Sequence, residues 1–291
     1  MKIWICGHQG MLGQHCLAQM QKRQLPFVVS DRDTVDITHA SQVLDFMQTH
    51  SFSHILNCAA YTAVVLAETE PLAAYAINAM GPKHLSTAAK QCNAYLIHFS
   101  TDYVFDGKAA SPYRETDFCH PLNIYGISKR AGEIKLFDTH PKSCVVRTSW
   151  LFGGKKSDFV QKVLLLLQER QTLSFVEDQV GCPTYSADLA EAACTLLLQE
   201  KTGFFHFANL GQTSWFTFAQ EIYSQALQLG WRFRCDSIQP IRSAEYPSPA
   251  TRPKYSCLDT SKIQNLLHIS PRPWKEALAD YLKTYVYSPV G

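Results

Sequence analysis

Tyr125 and Lys129 are four residues apart, and Thr101 lies 24 residues before Tyr125. On a helix, residues i and i+4 share one face, so the phenol and the ammonium would lie side by side. A free tyrosine titrates near pH ~10, and a neighbouring ammonium is expected to lower that pKa. With the Thr101 hydroxyl on the same oxygen, the three residues predict acid catalysis on a carbonyl that receives a hydride.

A Tyr-x-x-x-Lys spacing also arises by chance, and the alternative is a surface tyrosine beside a solvated lysine. The order of the other motifs favours the catalytic interpretation. A glycine loop comes first, followed by the small residues of segment 57–62 and then by Ser-Thr-Asp at 100–102. Their intervals suit the ends of successive strands in one sheet, where small residues allow close backbone contact with a ligand.

The glycine loop has the pattern G-x-x-G-x-x-G at Gly7, Gly10 and Gly13. Glycine lets the backbone turn sharply and approach a pyrophosphate without a Cβ in the way. A helix predicted to begin at Met11 would point its first amides at that anion. A purely structural turn is the alternative, but the position between a strand and a helix favours dinucleotide binding.

Asp31 and Arg32 follow the second predicted strand. A carboxylate here would accept hydrogen bonds from the ribose hydroxyls of NADH, whereas an arginine would pair with the 2′-phosphate of NADPH. Two solvated loop charges are the alternative. The sequence therefore leaves the cofactor as NADPH or NADH, and it places Asp36 and Ile37 against the adenine.

The elements that must position these residues alternate between strand and helix. The predicted strands are Ile3–Cys6, Pro26–Ser30, His54–Cys58, Tyr95–Phe99 and Ser143–Arg147. The predicted helices include Met11–Lys22, Ser41–Thr49, Glu68–Ala79 and Lys83–Cys92, and later Val160–Gln168, Ala187–Leu198, Trp215–Leu229 and Trp274–Val286. Short apolar strands separated by helices predict an α/β fold with a doubly wound, Rossmann-like parallel sheet.

The rhythm of strands and helices loosens after about residue 150. Residues 1–150 are predicted to form an NAD(P)-binding Rossmann domain. Residues 151–291 are predicted to form mainly a smaller C-terminal α/β substrate region, from which some segments return to the nucleotide domain. No internal repeat or low-complexity linker separates the two parts.

The composition excludes several classes of function. A net charge of +2 gives no basic patch for nucleic acid, and no apolar run approaches the ~20 residues of a membrane span. The first residues lack the pattern of a signal peptide. Ten cysteines occur without a Cys-x-x-Cys pair, so we expect reduced thiols in a cytoplasmic enzyme and no metal site.

Longer motifs resemble those of the dTDP-4-dehydrorhamnose reductases, within the extended short-chain dehydrogenase/reductases, over essentially the whole chain. The segments that carry the resemblance are 100–107, 121–129, 147–150, 178–184, 246–250 and 252–253. It implies an NAD(P)H-dependent reduction of the 4-ketone of dTDP-4-dehydro-6-deoxy-L-mannose. The product would be dTDP-L-rhamnose, for surface polysaccharide.

The resemblance also implies roles for single residues. Tyr125 would be the proton donor, Lys129 its partner and Thr101 the tuning hydroxyl. The substrate-binding residues would be Thr101, Asp102, Trp150 and, on the diphosphate or nucleotide side, Arg252. Together with the glycine loop, the predicted cofactor site comprises Gly7, Gly10, Met11, Leu12, Gly13, Asp31, Arg32, Asp36, Ile37, Ala59, Ala60, Tyr61, Thr62, Phe99, Tyr125 and Lys129.

Two departures from the family pattern affect these expectations. Val65 and Leu66 replace an acidic and a basic residue, so a reductase of a different nucleotide 4-keto-6-deoxy sugar is an alternative. His15 stands where magnesium-binding members have a glutamate, so neither that metal nor the associated dimer is carried over, and a homodimer is left open.

Two further alternatives share the nucleotide-binding pattern. One is a non-catalytic binding protein similar to the regulatory subunit of methionine adenosyltransferase, which also has a Tyr-x-x-x-Lys. Thr101 and Trp150 favour the reductase. The other is an epimerase or dehydratase, to which Asp102 beside Thr101 would be suited, although the whole-chain resemblance argues against it.

Overall fold

The computed structural model describes residues 1–154, 158–268 and 270–285. Its strands are β1 (Ile3–Cys6), β2 (Phe27–Ser30), β3 (His54–Asn57), β4 (Tyr95–Thr101), β5 (Ser143–Thr148), β6 (Leu151–Phe152), β7 (Thr172–Val176), β8 (Val180–Gly181), β9 (Thr184–Tyr185), β10 (Gly203–His206), β11 (Thr213–Ser214) and β12 (Ser237–Ile241). Its α-helices are α1 (Met11–Lys22), α2 (Ala40–His50), α3 (Val64–Ala67), α4 (Pro71–Tyr75), α5 (Gly81–Gln91), α6 (Ile124–Thr139), α7 (Phe159–Glu169), α8 (Ser186–Leu198), α9 (Trp215–Gln228), α10 (Ser261–Leu267) and α11 (Trp274–Thr284).

The main sheet has six parallel strands in the order β10-β5-β4-β3-β1-β2. The prediction of a Rossmann-like parallel sheet is confirmed. The chain moves from β1 to β2 and then crosses back to β3 on the other side of β1. The carboxyl ends of β1 and β3 therefore flank a switch point, where ligands bind in open α/β sheets.

Helices cover both faces of this sheet, which is why its central strands are buried and mostly apolar. On one face Ile3 and Ile5 pack with Met20 of α1 and with residues of α8 such as Leu189. On the other face Trp4 packs with Val43 of α2 and with residues of α5 and α6. Helix α1, which follows the glycine loop, and α6 thereby pack on the same sheet from opposite faces.

The second half of the chain contributes to two separate cores. Helix α8 packs against α1, β10 pairs with β5, and α10 contacts β10. The elements α8, β10 and α10 are therefore part of the layer built on the main sheet. A second core lies among α7, α9, α11, β7 and β12, with Phe152, Phe218 and Leu278 buried in it. The last predicted helix begins at Trp274 as expected but ends at Thr284, and Val286 lies outside the described residues.

The prediction of separate helices over Glu68–Ala79 and Lys83–Cys92 is wrong. A continuous helical stretch begins at Pro71 and reaches Gln91 through a π-helical turn over Ala76–Met80. The Gly81 N–H bonds the Ala76 carbonyl five residues back. Pro82 has no N–H to give to a carbonyl, so the sequence predicts a helix break there. In the structure the wider π turn precedes Pro82, and the helix continues through it.

Among the residues that the structure describes, no helix is long and apolar enough to cross a membrane.

Candidate active site

The predicted site residues gather at the carboxyl edge of the main sheet. The glycine loop follows β1, Asp31 follows β2, and the segment 58–62 follows β3. Thr101 ends β4, and its register partner in β5 is Thr148, two residues before Trp150. Helix α6 then carries Tyr125 and Lys129 alongside β4.

The glycine loop forms a tight turn against the end of β3. Gly7 has φ +71°, and a Cβ there would lie 2.8 Å from the Ala59 Cα. Helix α1 begins at Met11 after Gly10, and no side chain caps it. Its first amides are therefore free to bind an anion, as the phosphate-binding prediction requires.

Three predicted cofactor residues have side chains that serve packing. Leu12 and Phe99 are buried in the apolar core beneath the sheet edge. Ile37 is buried against α5, where a Cβ on Gly81 would overlap its side chain. These three can reach a ligand through their backbones, while their side chains hold the edge together.

Asp31 is already engaged by its own surroundings. Its Oδ2 accepts a hydrogen bond from Gln9, and its Oδ1 accepts from the Thr34 amide at 3.2 Å and from the Thr34 hydroxyl at 3.1 Å. Desolvation raises the Asp31 pKa, but the hydrogen bonds from Thr34 and the Asp33 amide, with the nearby His8, together outweigh it and hold the pKa below its ordinary value. Arg32 beside it is 84% exposed and lies 3.7 Å from Asp36, which leaves its guanidinium accessible to a phosphate.

Sequence reasoning missed Asn78, which the π-helical turn places behind the β3 loop. Its Oδ1 accepts from the Tyr61 amide at 2.9 Å, and its Nδ2 donates to the Tyr61 carbonyl at 3.0 Å. The same Nδ2 donates to Ser128 Oγ on α6 at 3.0 Å. Asn78 thus ties the predicted cofactor loop to the predicted catalytic helix. The only hint in the sequence is a polar residue three positions before Gly81-Pro82. In the structure it lies in a π-helical turn, a feature that is frequent at functional sites.

Thr101 and Asp102 form a buried polar pair at the end of β4. The Thr101 hydroxyl donates to Asp102 Oδ1 at 3.0 Å and accepts from the Tyr103 amide at 3.1 Å. Burial raises the pKa of Asp102 from its ordinary 3.8 to about 7, although Ser256 and Thr101 lower it by hydrogen bonding. Asp102 is therefore poised between its neutral and charged forms near neutrality.

The prediction that Lys129 lowers the pKa of Tyr125 is wrong in this structure. Burial raises the Tyr125 pKa to about 12, and the Thr101 hydroxyl is the group that lowers it. The Lys129 Nζ instead donates to the Phe99 carbonyl at 2.6 Å. Burial also lowers the pKa of Lys129 to about 8. The i and i+4 spacing did place Tyr125 and Lys129 on one helix, but the lysine nitrogen turns towards β4.

Two polar contacts hold α6 in place. Asn123 caps the helix by accepting from the Gly126 amide at 2.8 Å, and its Nδ2 reaches the Thr251 carbonyl at 2.8 Å. Further along, Glu133 accepts two hydrogen bonds of 2.8 Å from Arg147 of β5, and both side chains are buried. Because Glu133 is one turn beyond Lys129, this pair fixes the register of the predicted catalytic helix on the sheet.

Of the other two predicted substrate residues, Trp150 packs against the second core and Arg252 lies near Tyr103, just after β4. Trp150 has φ +45°, and its ring stacks on Trp215 with centroids 3.5 Å apart. The Arg252 Nε is buried and has no hydrogen-bond partner among the described residues. Arg252 is close enough to Tyr103 to lower its pKa, although burial raises that pKa overall. An unpaired guanidinium nitrogen at this edge suits an anionic or hydroxylated ligand.

The described part of the chain contains no group of three or more His, Cys, Asp or Glu side chains placed to hold a metal ion.

The fold and this edge define a doubly wound, nucleotide-binding α/β protein. The family model for the RmlD substrate binding domain matches residues 1–287. A dTDP-4-dehydrorhamnose reductase from Aggregatibacter actinomycetemcomitans is 38% identical over 285 residues, which cover 95% of this chain and 97% of the relative. The chain belongs to the dTDP-4-dehydrorhamnose reductase family.

Two solved structures of such reductases are similar over nearly their full length. The one from Clostridium acetobutylicum has a TM-score of 0.93 and 36% identity, and covers 98% of this chain and 99% of its own. The one from Bacillus anthracis, in complex with NADP, has a TM-score of 0.93, 35% identity and the same coverage.

Proposed function

We propose that this chain reduces the 4-ketone of dTDP-4-dehydro-6-deoxy-L-mannose to dTDP-L-rhamnose with NADPH or NADH, for surface polysaccharide. The observation that carries the proposal is the convergence of Tyr125, Thr101 and Lys129 at the end of β4. Thr101 is close enough to lower the Tyr125 pKa, and Lys129 bonds the carbonyl two residues before Thr101. Family membership supplies the sugar nucleotide.

The chain's own features fit a dinucleotide. The uncapped start of α1 suits a pyrophosphate, and Gly7 lets the loop backbone lie close to Ala59 after β3. Met11, Asp31, Arg32 and Tyr61 would surround the rest of the cofactor. The chemistry that a bound nicotinamide supplies is a hydride for the C4 carbonyl carbon.

Tyr125 would give its phenolic proton to the ketone oxygen. Reduction needs a tyrosine that still holds its proton, and burial ensures this by raising the pKa to about 12. The Thr101 hydroxyl hydrogen, which points at Asp102 in this structure, would turn to donate a hydrogen bond to the same oxygen. Lys129 would stay bound to the Phe99 carbonyl at the end of β4, and an ammonium with a pKa of about 8 can supply a proton near neutral pH to replace the one that Tyr125 gives up.

On the substrate side, Asp102 and Arg252 would bind polar groups and the Trp150 ring would form an apolar wall. Asp102 in its neutral form can donate as well as accept a hydrogen bond, which suits a sugar hydroxyl. The unpaired Arg252 Nε suits the diphosphate. These roles would hold the sugar between α6 and the second core.

The test is a coupled assay that supplies the upstream dehydratase and epimerase products, with NADPH oxidation followed by absorbance and the product identified by NMR. We expect dTDP-L-rhamnose from the wild-type chain and almost none from Tyr125→Phe. NADPH binding without any oxidation would instead support a regulatory binding protein. Cofactor that stays bound and is recycled would support an epimerase or dehydratase.

A reductase of another nucleotide 4-keto-6-deoxy sugar is the second candidate. Val65 and Leu66 are 43% and 48% exposed on α3, which contacts α6. Glu68 links the end of this segment to α6, because its Oε1 accepts from the Ile124 amide at 2.9 Å. Offering several 4-keto sugar nucleotides to wild type and to Leu66→Lys would test whether this surface alters the preference.

We also propose a cytoplasmic location. All ten cysteines are free thiols, although Cys16 and Cys58 lie with their sulfur atoms 3.8 Å apart. Cysteines that are buried as small apolar side chains, as Cys6 and Cys144 are, fit a reducing compartment.

A further inference from the structure

His98 is a buried titratable group that the proposed reaction does not use. It lies on β4 with no exposed surface, immediately before Phe99, whose carbonyl binds Lys129. Its register partner across the sheet is Asn57, the last residue of β3. Both ring nitrogens of His98 have polar neighbours, so the residue does more than fill space.

The first neighbour fixes which ring nitrogen carries the proton. The Asn57 side-chain oxygen accepts from the Ala59 amide at 3.2 Å, so its amide nitrogen faces His98 Nδ1 at 3.0 Å. Asn57 is therefore the donor and Nδ1 the acceptor. Burial, together with the positive charge of Lys129, lowers the His98 pKa well below its ordinary value, so the ring is neutral. A neutral ring that accepts on Nδ1 carries its proton on Nε2.

The second neighbour is the catalytic lysine. His98 Nε2 lies 3.5 Å from Lys129 Nζ. An N–H at Nε2 disfavours an ammonium opposite it and favours the neutral amine, which can accept a hydrogen bond. The chain of contacts from Ala59 through Asn57 and His98 thus joins the proposed cofactor loop to Lys129.

We propose that His98 is a positioning residue for the reduction: held by Asn57 with its proton on Nε2, it governs where the Lys129 nitrogen sits and when it releases its proton. The proposal rests on the proposed reductase function. The other charge that acts on Lys129 is Glu133 on α6, which is itself paired with Arg147. Two more titratable groups lie nearby. Tyr125 is one helical turn before Lys129, and Asp102 accepts a hydrogen bond from Thr101.

Asn57→Asp is a nearly isosteric substitution that should move the His98 proton from Nε2 to Nδ1. A carboxylate can still accept from the Ala59 amide, but it cannot donate to His98 Nδ1. The proton should then move to Nδ1, and Nε2 should turn its lone pair to Lys129 and stabilise the ammonium. The alkaline limb of the kcat profile, where Lys129 loses its proton, should move up by about one pH unit.

Two measurements test the proposal. The first is the ¹⁵N spectrum of the histidine rings in the full chain without cofactor, with His98 assigned by its absence in His98→Phe. We expect a protonated Nε2 in the wild type and a protonated Nδ1 in Asn57→Asp. A wild-type ring protonated on Nδ1, or on both nitrogens, would overturn the proposal.

The second measurement is the pH profile of Asn57→Asp in two backgrounds, with His98 and with His98→Phe. The added charge is the same in both, so a shift that passes through the ring should shrink by at least half in the second background. Equal shifts, or no shift, would contradict the proposal. The spectrum uses no substrate, so it can be interpreted even if the proposed function fails. If the wild type reduces the substrate but its His98 is not protonated on Nε2 alone, only the proposed role of His98 is lost.

Discussion

The two ends of the sheet edge hold their polar groups in opposite ways. At β1 and β2, the carboxylates of Asp31 and Asp36 are partly exposed, and hydrogen bonds from their own loops outweigh desolvation and lower both pKa values. At β4 and α6, Asp102 and Lys129 are buried, and burial shifts their pKa values towards the neutral forms. The first end keeps fixed charges, and the second holds groups that can exchange protons near neutral pH.

This difference fits the proposed roles of the two ends, cofactor binding at the first and proton transfer at the second. A loop that binds a cofactor needs charge and backbone amides that do not change between steps, and local turns supply them. A site that transfers a proton needs groups whose charge is easily changed, and only burial against other elements supplies that. Substitutions at the buried end should therefore have large effects, and those at the exposed end small ones.

The largest effect should come from Tyr125→Phe. The change removes one oxygen and keeps the ring, so the fold and NADPH binding should survive. Without a positioned acid, kcat should fall by about 10²–10⁴-fold. Stopped-flow NADPH oxidation gives kcat, and NADPH fluorescence gives the Kd.

Tyr103→Phe is the matched control, because its ring lies 5.8 Å from that of Tyr125 in an edge-on contact. It should keep most of the wild-type kcat. A near-normal kcat in Tyr125→Phe, with the fold verified by circular dichroism, would remove Tyr125 from the mechanism.

Glu133→Gln should have the next largest effect, here on stability. It leaves the buried Arg147 without its charged partner, and losing one member of a buried pair costs about 3–5 kcal/mol. The free energy of unfolding in urea measures the loss. Glu221→Gln, which breaks the surface pair with Lys275, should cost under about 1 kcal/mol. Similar losses in both variants would mean that the buried pair does not anchor α6.

Asp102→Asn should stabilise the protein in a pH-dependent way. A carboxyl whose pKa rises from 3.8 to about 7 on folding costs stability as pH rises between those values, and the full cost is present above about 7. The gain from a neutral amide should therefore be larger at pH 8 than at pH 5, by about 2.5 kcal/mol. Urea unfolding at the two pH values measures it.

Asp106→Asn is the comparison, because its effect on stability should have the opposite sign. A hydrogen bond from the Tyr113 hydroxyl lowers the Asp106 pKa, so its carboxylate stabilises the fold at both pH values. Its removal should destabilise the protein at pH 5 and at pH 8 alike. If Asp102→Asn behaved in the same way, Asp102 would be a charged structural residue.

The smallest effect should come from Asp31→Ala. Because Gln9 and Thr34 already occupy its oxygens, Asp31 can add only a modest contact to a ribose diol. The kcat/KM for NADH should fall about fivefold while that for NADPH changes less. Asp33→Ala, on the same loop, should leave the ratio of the two cofactors unchanged. An unchanged ratio in Asp31→Ala would remove Asp31 from ribose recognition.

Local patterns determined much of this protein. The strand ends at Cys6, Ser30 and Arg147 were predicted to within a residue or so, because apolar runs of strand length between helices have few other uses. The spacing of Tyr125 and Lys129 placed both on α6. The glycine spacing predicted a tight turn. The structure shows why Gly7 is needed there, because a Cβ would collide with Ala59.

Only the tertiary structure decided which groups meet and what burial does to them. The π turn over Ala76–Met80 brings Asn78 to Tyr61, and the pairing of β3 with β4 brings Asn57 to His98. Nothing in the order of residues announces these contacts, since each joins elements far apart in the chain. The Tyr125 pKa was predicted with the wrong sign for the same reason: proximity along a helix does not show where a lysine nitrogen turns, and desolvation depends on everything packed around it.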